Sequence, residues 1–261
     1  MNKPKSFKKS KSSFIKKRPK KTMSSKSSKS FVKKVQAIVH RDAETKQSFT
    51  SINNVAFNSG INSSGDCLQL IANIAQGTAD NARIGDQIRA QSIVIKGAIN
   101  SNLTFQSYSN CRLGVRLMIV QPKSYNSLSA IQANVSTWSS TLLKKGGTTT
   151  AFTGAMNDLW SPINTDAITK YYDKVFYINT PYVASSVGDL STYNSVKFFR
   201  HTFKLRNKLI KYDSSIDSGL TPTNYNPVML MGYCHLDGSS GDTVTTQVLL
   251  SFDSIMNYED A

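Results

Sequence analysis

The chain has 261 residues and a formal net charge of +16, from 32 Lys and Arg against 16 Asp and Glu. The first 41 residues carry fifteen bases and no acid, while the rest holds seventeen bases against sixteen acids, so a uniformly basic globule is excluded. No apolar run approaches the roughly 18 residues that a bilayer-spanning helix needs.

Residues 1–41 are mostly Lys and Ser, with scattered Phe7, Phe14 and Phe31. So little apolar surface does not offset the entropy of ordering, and the arm is predicted to be disordered when free. A block of like charge acts as an interaction tail, and its natural partner is a polyanion. The predicted nucleic-acid-binding residues are Lys3, Lys5, Lys8, Lys9, Lys11, Lys16, Lys17, Arg18, Lys20, Lys21, Lys26, Lys29, Lys33, Lys34 and Arg41. All but Arg18 and Arg41 are lysines, point charges that suit phosphate neutralisation better than base reading. Pro4, Pro19 and the Ser runs oppose the amphipathic helix that membrane docking would require, so no membrane insertion is expected. Within the arm, Lys16, Lys17, Arg18, Lys20 and Lys21 resemble a nuclear-import signal, a pattern that any Lys-rich window shares.

From about residue 45 the composition turns to Ser, Thr, Asn, Val, Ile and aromatics, and period-two alternation begins. A strand signal covers 46–57. Residues 67–76 and the stretch 127–145 read as short helices. In 92–99, Ile93, Ile95 and Ile99 share one face, with Val94, Lys96 and Ala98 on the other. In 112–120, Leu113, Val115, Leu117 and Ile119 share a face, opposite Arg112, Arg116 and then the apolar Met118 and Val120. A long insertion at 123–170 precedes a weaker strand at 171–179. In 196–206, Phe199, His201, Phe203 and Leu205 point inward, against Arg200, Lys204 and Arg206. Strand signals follow at 228–236 and 244–252. At least seven strands with too few helices for a βαβ alternation predict an all-β sandwich in one domain, 42–261. The bases Arg112, Arg116, Arg200, Lys204 and Arg206 lie on outward strand faces and form candidate inner-surface contacts to nucleic acid; an ordinary solvated face is the plainer alternative.

Signals for catalysis are poor. Cys67, Cys111 and Cys234 are odd in number, widely spaced and without a zinc pattern, so they read as reduced thiols. His40, His201 and His235 sit in no catalytic motif, and His201 alternates with Phe as a packed histidine does. Residues 237–242 (DGSSGD) read as a turn rather than a cation site, and neither metal nor cofactor is expected.

A basic arm followed by a near-neutral all-β body resembles the coat proteins of small icosahedral viruses. The likeness is to the capsid proteins of circular, Rep-encoding single-stranded DNA viruses, and three stretches carry it. The first runs from Ile74-Ala75-Gln76-Gly77-Thr78 through Arg83-Ile84-Gly85-Asp86-Gln87-Ile88 to Ile93-Val94-Ile95-Lys96-Gly97. The second is Tyr172-Asp173-Lys174-Val175-Phe176 with the basic-aromatic strand from Lys197-Phe198-Phe199-Arg200 to Leu205. The third is Asn226-Pro227-Val228-Met229-Leu230. The Lys-rich arm departs from the Arg-rich arms of many relatives. The resemblance implies a single eight-stranded jelly roll of two four-stranded antiparallel sheets, with strand B at 46–57, C at 88–101 and D at 110–121. E falls near 171–180, F near 196–206, G near 227–236 and H or I within 243–257, which leaves one strand unassigned. It also implies a non-enzymatic subunit that self-associates, in the simplest shell as sixty copies, around single-stranded DNA, in a virion assembled with possible passage through the host nucleus. An RNA genome and a host-type ribosomal or chromatin-associated nucleic-acid-binding protein are the alternatives. Host and receptor are not legible.

Overall fold

Two antiparallel sheets form where the alternating segments pair. The computed structural model describes residues 45–101, 112–179, 196–236 and 248–260, together with Phe31 and Lys34. The chain divides into two units, Met1–Ala43 and Glu44–Ala261. Of the first, only Phe31 and Lys34 are described, and both are helical. The predicted disorder of the arm, the thiol of Cys111 and the turn at 237–242 lie outside the described residues.

In the second unit the strands are β1 (Thr45–Phe57), β2 (Cys67–Gln69), β3 (Gln87–Ser101), β4 (Arg112–Pro122), β5 (Leu143–Lys145), β6 (Thr148–Thr150), β7 (Ile168–Asn179), β8 (Val196–Lys211), β9 (Val228–His235) and β10 (Val248–Asp260). One sheet has the order β1-β10-β3-β8 and the other β2-β9-β4-β7, while β5 and β6 form a separate hairpin. Lettered in chain order with β5 and β6 set aside, these are the B-I-D-G and C-H-E-F sheets of a jelly roll. The strand missing from the sequence reading is C. It is only three residues long, in a segment expected to be helical. Its omission shifted the letters that follow: the strand expected as C is D (Gln87–Ser101), the one expected as D is E (Arg112–Pro122), and those expected as E, F and G are F, G and H, while the last, expected as H or I, is I.

The core lies between the sheets. Ile93, Ile95 and Ile99 of β3 meet Leu113, Val115, Leu117 and Ile119 of β4, with Met229, Met231 and Tyr233 of β9 and Leu250, Phe252 and Met256 of β10. Gly97 of β3 is in register with Phe252 on one side and Phe199 on the other. A Cβ there would lie 2.6 Å from the Phe199 ring and 2.7 Å from the Phe252 Cβ, so the glycine admits two aromatic side chains over one strand.

The second cluster lies on the opposite face of the C-H-E-F sheet. Met118 and Val120 of β4 pack with Val228, Leu230 and Cys234 of β9 beneath the insertion between β4 and β7. That insertion contributes Leu128 and Ile131 of α1 (Leu128–Ala133), Val135 and Trp138 of α2 (Val135–Ser139), and Phe152, Leu159 and Ile163. The one helix expected at 127–145 is two short helices followed by β5. Ser127 caps α1 by accepting from the Ala130 amide, and Asn134 closes it by donating to the Ala130 carbonyl. The Trp138 indole donates to the Ile131 carbonyl at 2.9 Å, tying α2 back to α1. The Phe152 ring occupies the space of a side chain at Gly232, whose Cβ would lie 2.5 Å from it.

The outer edge of β8 is partly covered. Asn224 accepts from the Lys211 amide and donates to the Leu209 carbonyl, and the Thr223 amide donates to the Lys211 carbonyl. Upstream, Arg206 and Asn207 have φ of 53° and 60°, which interrupts the regular extended edge.

Candidate nucleic-acid interface

The five bases expected on outward strand faces do not share a surface. Arg112 and Arg116 belong to β4 in one sheet, and Arg200, Lys204 and Arg206 to β8 in the other. Arg112 is exposed. Arg116 is 3% exposed, and this corrects its assignment to a solvated face. Its Nε and Nη2 donate to the two carboxylate oxygens of Asp173 on β7 at 2.8 and 2.9 Å. Its Nη1 donates to the carbonyls of Asp158 and Ser161. Arg116 thus joins the C-H-E-F sheet to the insertion that covers it. The physical reason is the insertion itself, which buries the face that alternation marked as outward. All three partner residues lie 42 residues or more from Arg116 in sequence.

The outward face of the B-I-D-G sheet is open. Arg200, Lys204 and Arg206 are exposed there, and Lys96 of β3 stands beside them. Register places Arg200 opposite Lys96, and Lys96 opposite Asp253 of β10. Phe198 lies two residues before Arg200 on the same face and is 81% exposed. Sequence reasoning placed Lys96 outward but not in the site, and passed over Phe198. Alternation held the signal, because Phe199, His201 and Phe203 inward leave Phe198 outward. Among the described residues, no ion pair engages Lys96, Arg200, Lys204 or Arg206. Of the fifteen arm bases only Lys34 is described.

The stretch Arg83-Ile84-Gly85-Asp86 is a structural node. Arg83 is 3% exposed; it donates to the Gly85 carbonyl, the Asp86 carboxylate and, at 2.8 Å, the Gly219 carbonyl. Its guanidinium lies 4.6 Å from the centroid of the Tyr212 ring, whose hydroxyl burial pushes well above the usual tyrosine range. Beside it, the Lys46 ammonium donates to the Ala82 carbonyl and pairs with Asp260 at 2.8 Å. These bonds fix the entry to β3 against the end of β10 and the segment after β8. Sequence shows a charged lead-in to a strand; a partner 136 residues away is not legible in it.

The two described thiols, Cys67 and Cys234, are buried and held protonated by their environment. Burial, aided by Asp66, pushes Cys67 up to about 12, and burial, aided by Asp158, pushes Cys234 up to about 11. His201 packs between Tyr172 and Phe203 at 4.5 and 4.4 Å between ring centroids. Desolvation lowers its pKa from the usual histidine value. Among the described residues, no group of three His, Cys, Asp or Glu could hold a metal ion, and no helix is long and apolar enough to cross a membrane.

No protein-family model matches the chain, and no curated protein matches it. Among solved structures it is similar to a chain of the Israel acute paralysis virus pentamer, at 10% identity and a TM-score of 0.24, covering 95% of this chain and 79% of that one. It is also similar to a chain of the T13 IBDV viral particle, at 13% identity and a TM-score of 0.15, covering 84% of this chain and 40% of that one. The strand order, not these scores, carries the fold assignment.

Proposed function

We propose that this chain is the coat subunit of an icosahedral virus, that its jelly roll forms the shell wall, and that residues 1–41 neutralise a packaged single-stranded DNA genome. The observation that carries the reading is the union, in one chain, of a B-I-D-G/C-H-E-F body with an arm of fifteen bases and no acid. Single jelly rolls tile viral shells. Closed symmetry is expected, because head-to-tail contacts either close or run on as filaments. Sixty arms supply roughly 900 positive charges, a sizeable share of the phosphates of about one to two thousand nucleotides. The role is structural, not catalytic, and the virion is its location, with the nucleus a stage of assembly if Lys16–Lys21 is read by import receptors. Single-stranded DNA is preferred over RNA on the resemblance in the three quoted stretches. A host-type ribosomal or chromatin protein fits less well, because such a body would itself be basic and this one is near neutral.

Negative-stain microscopy of the full-length protein, with the 260 to 280 nm absorbance ratio of the same fraction, tests this. Uniform round particles rich in nucleic acid are expected, and extraction with nuclease digestion then tells DNA from RNA. Removal of residues 1–41 is expected to leave or redirect shell formation and to abolish packaging. Small discrete species over a range of salt and pH would overturn the coat reading, and full packaging by the truncated chain would overturn the role of the arm.

A further inference from the structure

The outward face of the B-I-D-G sheet carries a groove of about 730 Å³. Ala98 of β3 and Ser251 of β10 are neighbours in register and make a floor of small side chains. Below it, Gly97 lets Phe199 and Phe252 close the core against the sheet, so the floor rests on packed aromatic rings. Phe198, opposite Ala98, forms one wall. The row Arg200–Lys96–Asp253 forms the other. Asn53 lies at the far end, where β1 is bulged between Ile52 and Val55. The bulge is pinned: the Asn54 amide donates to the Ser251 hydroxyl at 2.9 Å, and that hydroxyl donates to the Asn54 side-chain oxygen at 3.2 Å.

A single exposed aromatic residue is ordinary on a protein surface. Here it stands beside two cations that no carboxylate engages among the described residues. Phe198 and Arg200 are alternate residues of one strand, so they project from the same face about 7 Å apart. An apolar ring offers a stacking surface to a base, and a guanidinium beside it offers a fork to a phosphate. Asp253 and Asn53 lie two and three strands from Phe198, further along the groove, and add acceptors and a donor there. Asp253 also disfavours a second phosphate at that end, which gives the groove a polarity. An acidic protein partner would use the cations but would not need a planar wall.

We infer that this groove takes one base of single-stranded nucleic acid, stacked on Phe198, with its phosphate held by Arg200 and Lys96. Resting on the packaging reading above, it adds a contact from the body to the charge neutralisation supplied by the arm. Stacking on Phe198 is insensitive to salt, whereas the arm and the two cations act through counterion release.

The test uses the full-length protein and a short single-stranded oligothymidylate containing one 5-iodouracil. Ultraviolet cross-linking with peptide mapping is expected to mark Phe198. Phe198→Ala is expected to remove that cross-link and weaken binding about tenfold at every salt concentration, leaving the salt slope unchanged. Phe198→Tyr restores both. Arg200→Gln combined with Lys96→Gln is expected to reduce the slope of log affinity against log salt by about 1.4, at roughly 0.7 per cation. Cross-links confined to residues 1–41, with Phe198→Ala binding as the parent does, overturn the groove. Particles that still package nucleic acid in that case leave the coat reading standing. Phe198→Ala that binds normally but no longer assembles overturns it too, and assigns the face to a second copy of the chain. Parent protein that neither assembles nor binds the oligonucleotide overturns the coat reading itself.

Discussion

The two outward faces of this sandwich begin from the same sequence pattern and end in opposite states. Arg116 on β4 and Arg200 on β8 each sit in a strand of alternating apolar residues, and each points away from the core between the sheets. Arg116 is buried, with a carboxylate and two carbonyls around its guanidinium, while Arg200 is exposed beside Lys96. Strand periodicity decides which side a residue faces. It does not decide whether that side is wet. The deciding element is the insertion between β4 and β7, which brings its own apolar residues and turns one outward face into a second core.

That contrast can be broken most directly at Arg116. Arg116→Leu leaves Asp173 without its bidentate partner and two carbonyls without a donor, and is expected to cost about 3–5 kcal/mol in denaturant unfolding. Arg200→Leu is the matched control and is expected to stay within about 0.5 kcal/mol. Equal effects at the two sites would refute the difference between the faces. Phe152→Ala probes the insertion itself. It empties the space over Gly232 and is expected to cost about 3–4 kcal/mol, with protease cleavage appearing first between residues 123 and 167. Gly97→Ala asks whether the open face also rests on close packing. Its Cβ meets Phe199 and Phe252, so a loss of about 1–3 kcal/mol is expected, and an unchanged melting temperature would show that the rings can yield.

The smallest effect is a pH dependence. Desolvation lowers the pKa of His201 in the folded state, so the unfolded chain binds the extra proton more readily. Its contribution is complete above the unfolded value of about 6.5 and is lost as pH falls through the lower folded value. His201→Phe is expected to flatten the melting temperature between neutral and mildly acidic pH. An unaltered pH profile in that variant would place the titrating group elsewhere.

The long strands were legible because one face of each is dry. Ile93, Ile95 and Ile99 in β3, and Phe199, His201 and Phe203 in β8, were placed inward correctly. β2 was not legible, since three residues cannot show a period. Around it, Leu68, Ile71 and Ile74 recur at helical spacing while lying on extended chain and loop. Those positions are apolar because Ile71 and Ile74 plug the core and Leu68 packs against it, not because they share a helix face. The candidate groove was half legible. Its cations follow from alternation, whereas its floor depends on the register of three strands far apart in sequence, and register is written in pairings rather than in any one segment.

Under the coat role proposed above, the edge of β8 has a consequence for the life of the subunit before it meets its neighbours. A sixteen-residue border strand is a template on which another chain could add. Asn224 occupies the backbone groups of Leu209 and Lys211 much as a neighbouring strand would, and the left-handed pair Arg206 and Asn207 breaks the straight run just upstream. An incoming strand therefore finds its zipper jammed at one end. Such a border favours solubility in the interval between synthesis and capture, and it would leave ordered growth to contacts made by side chains and loops instead of to indiscriminate backbone pairing.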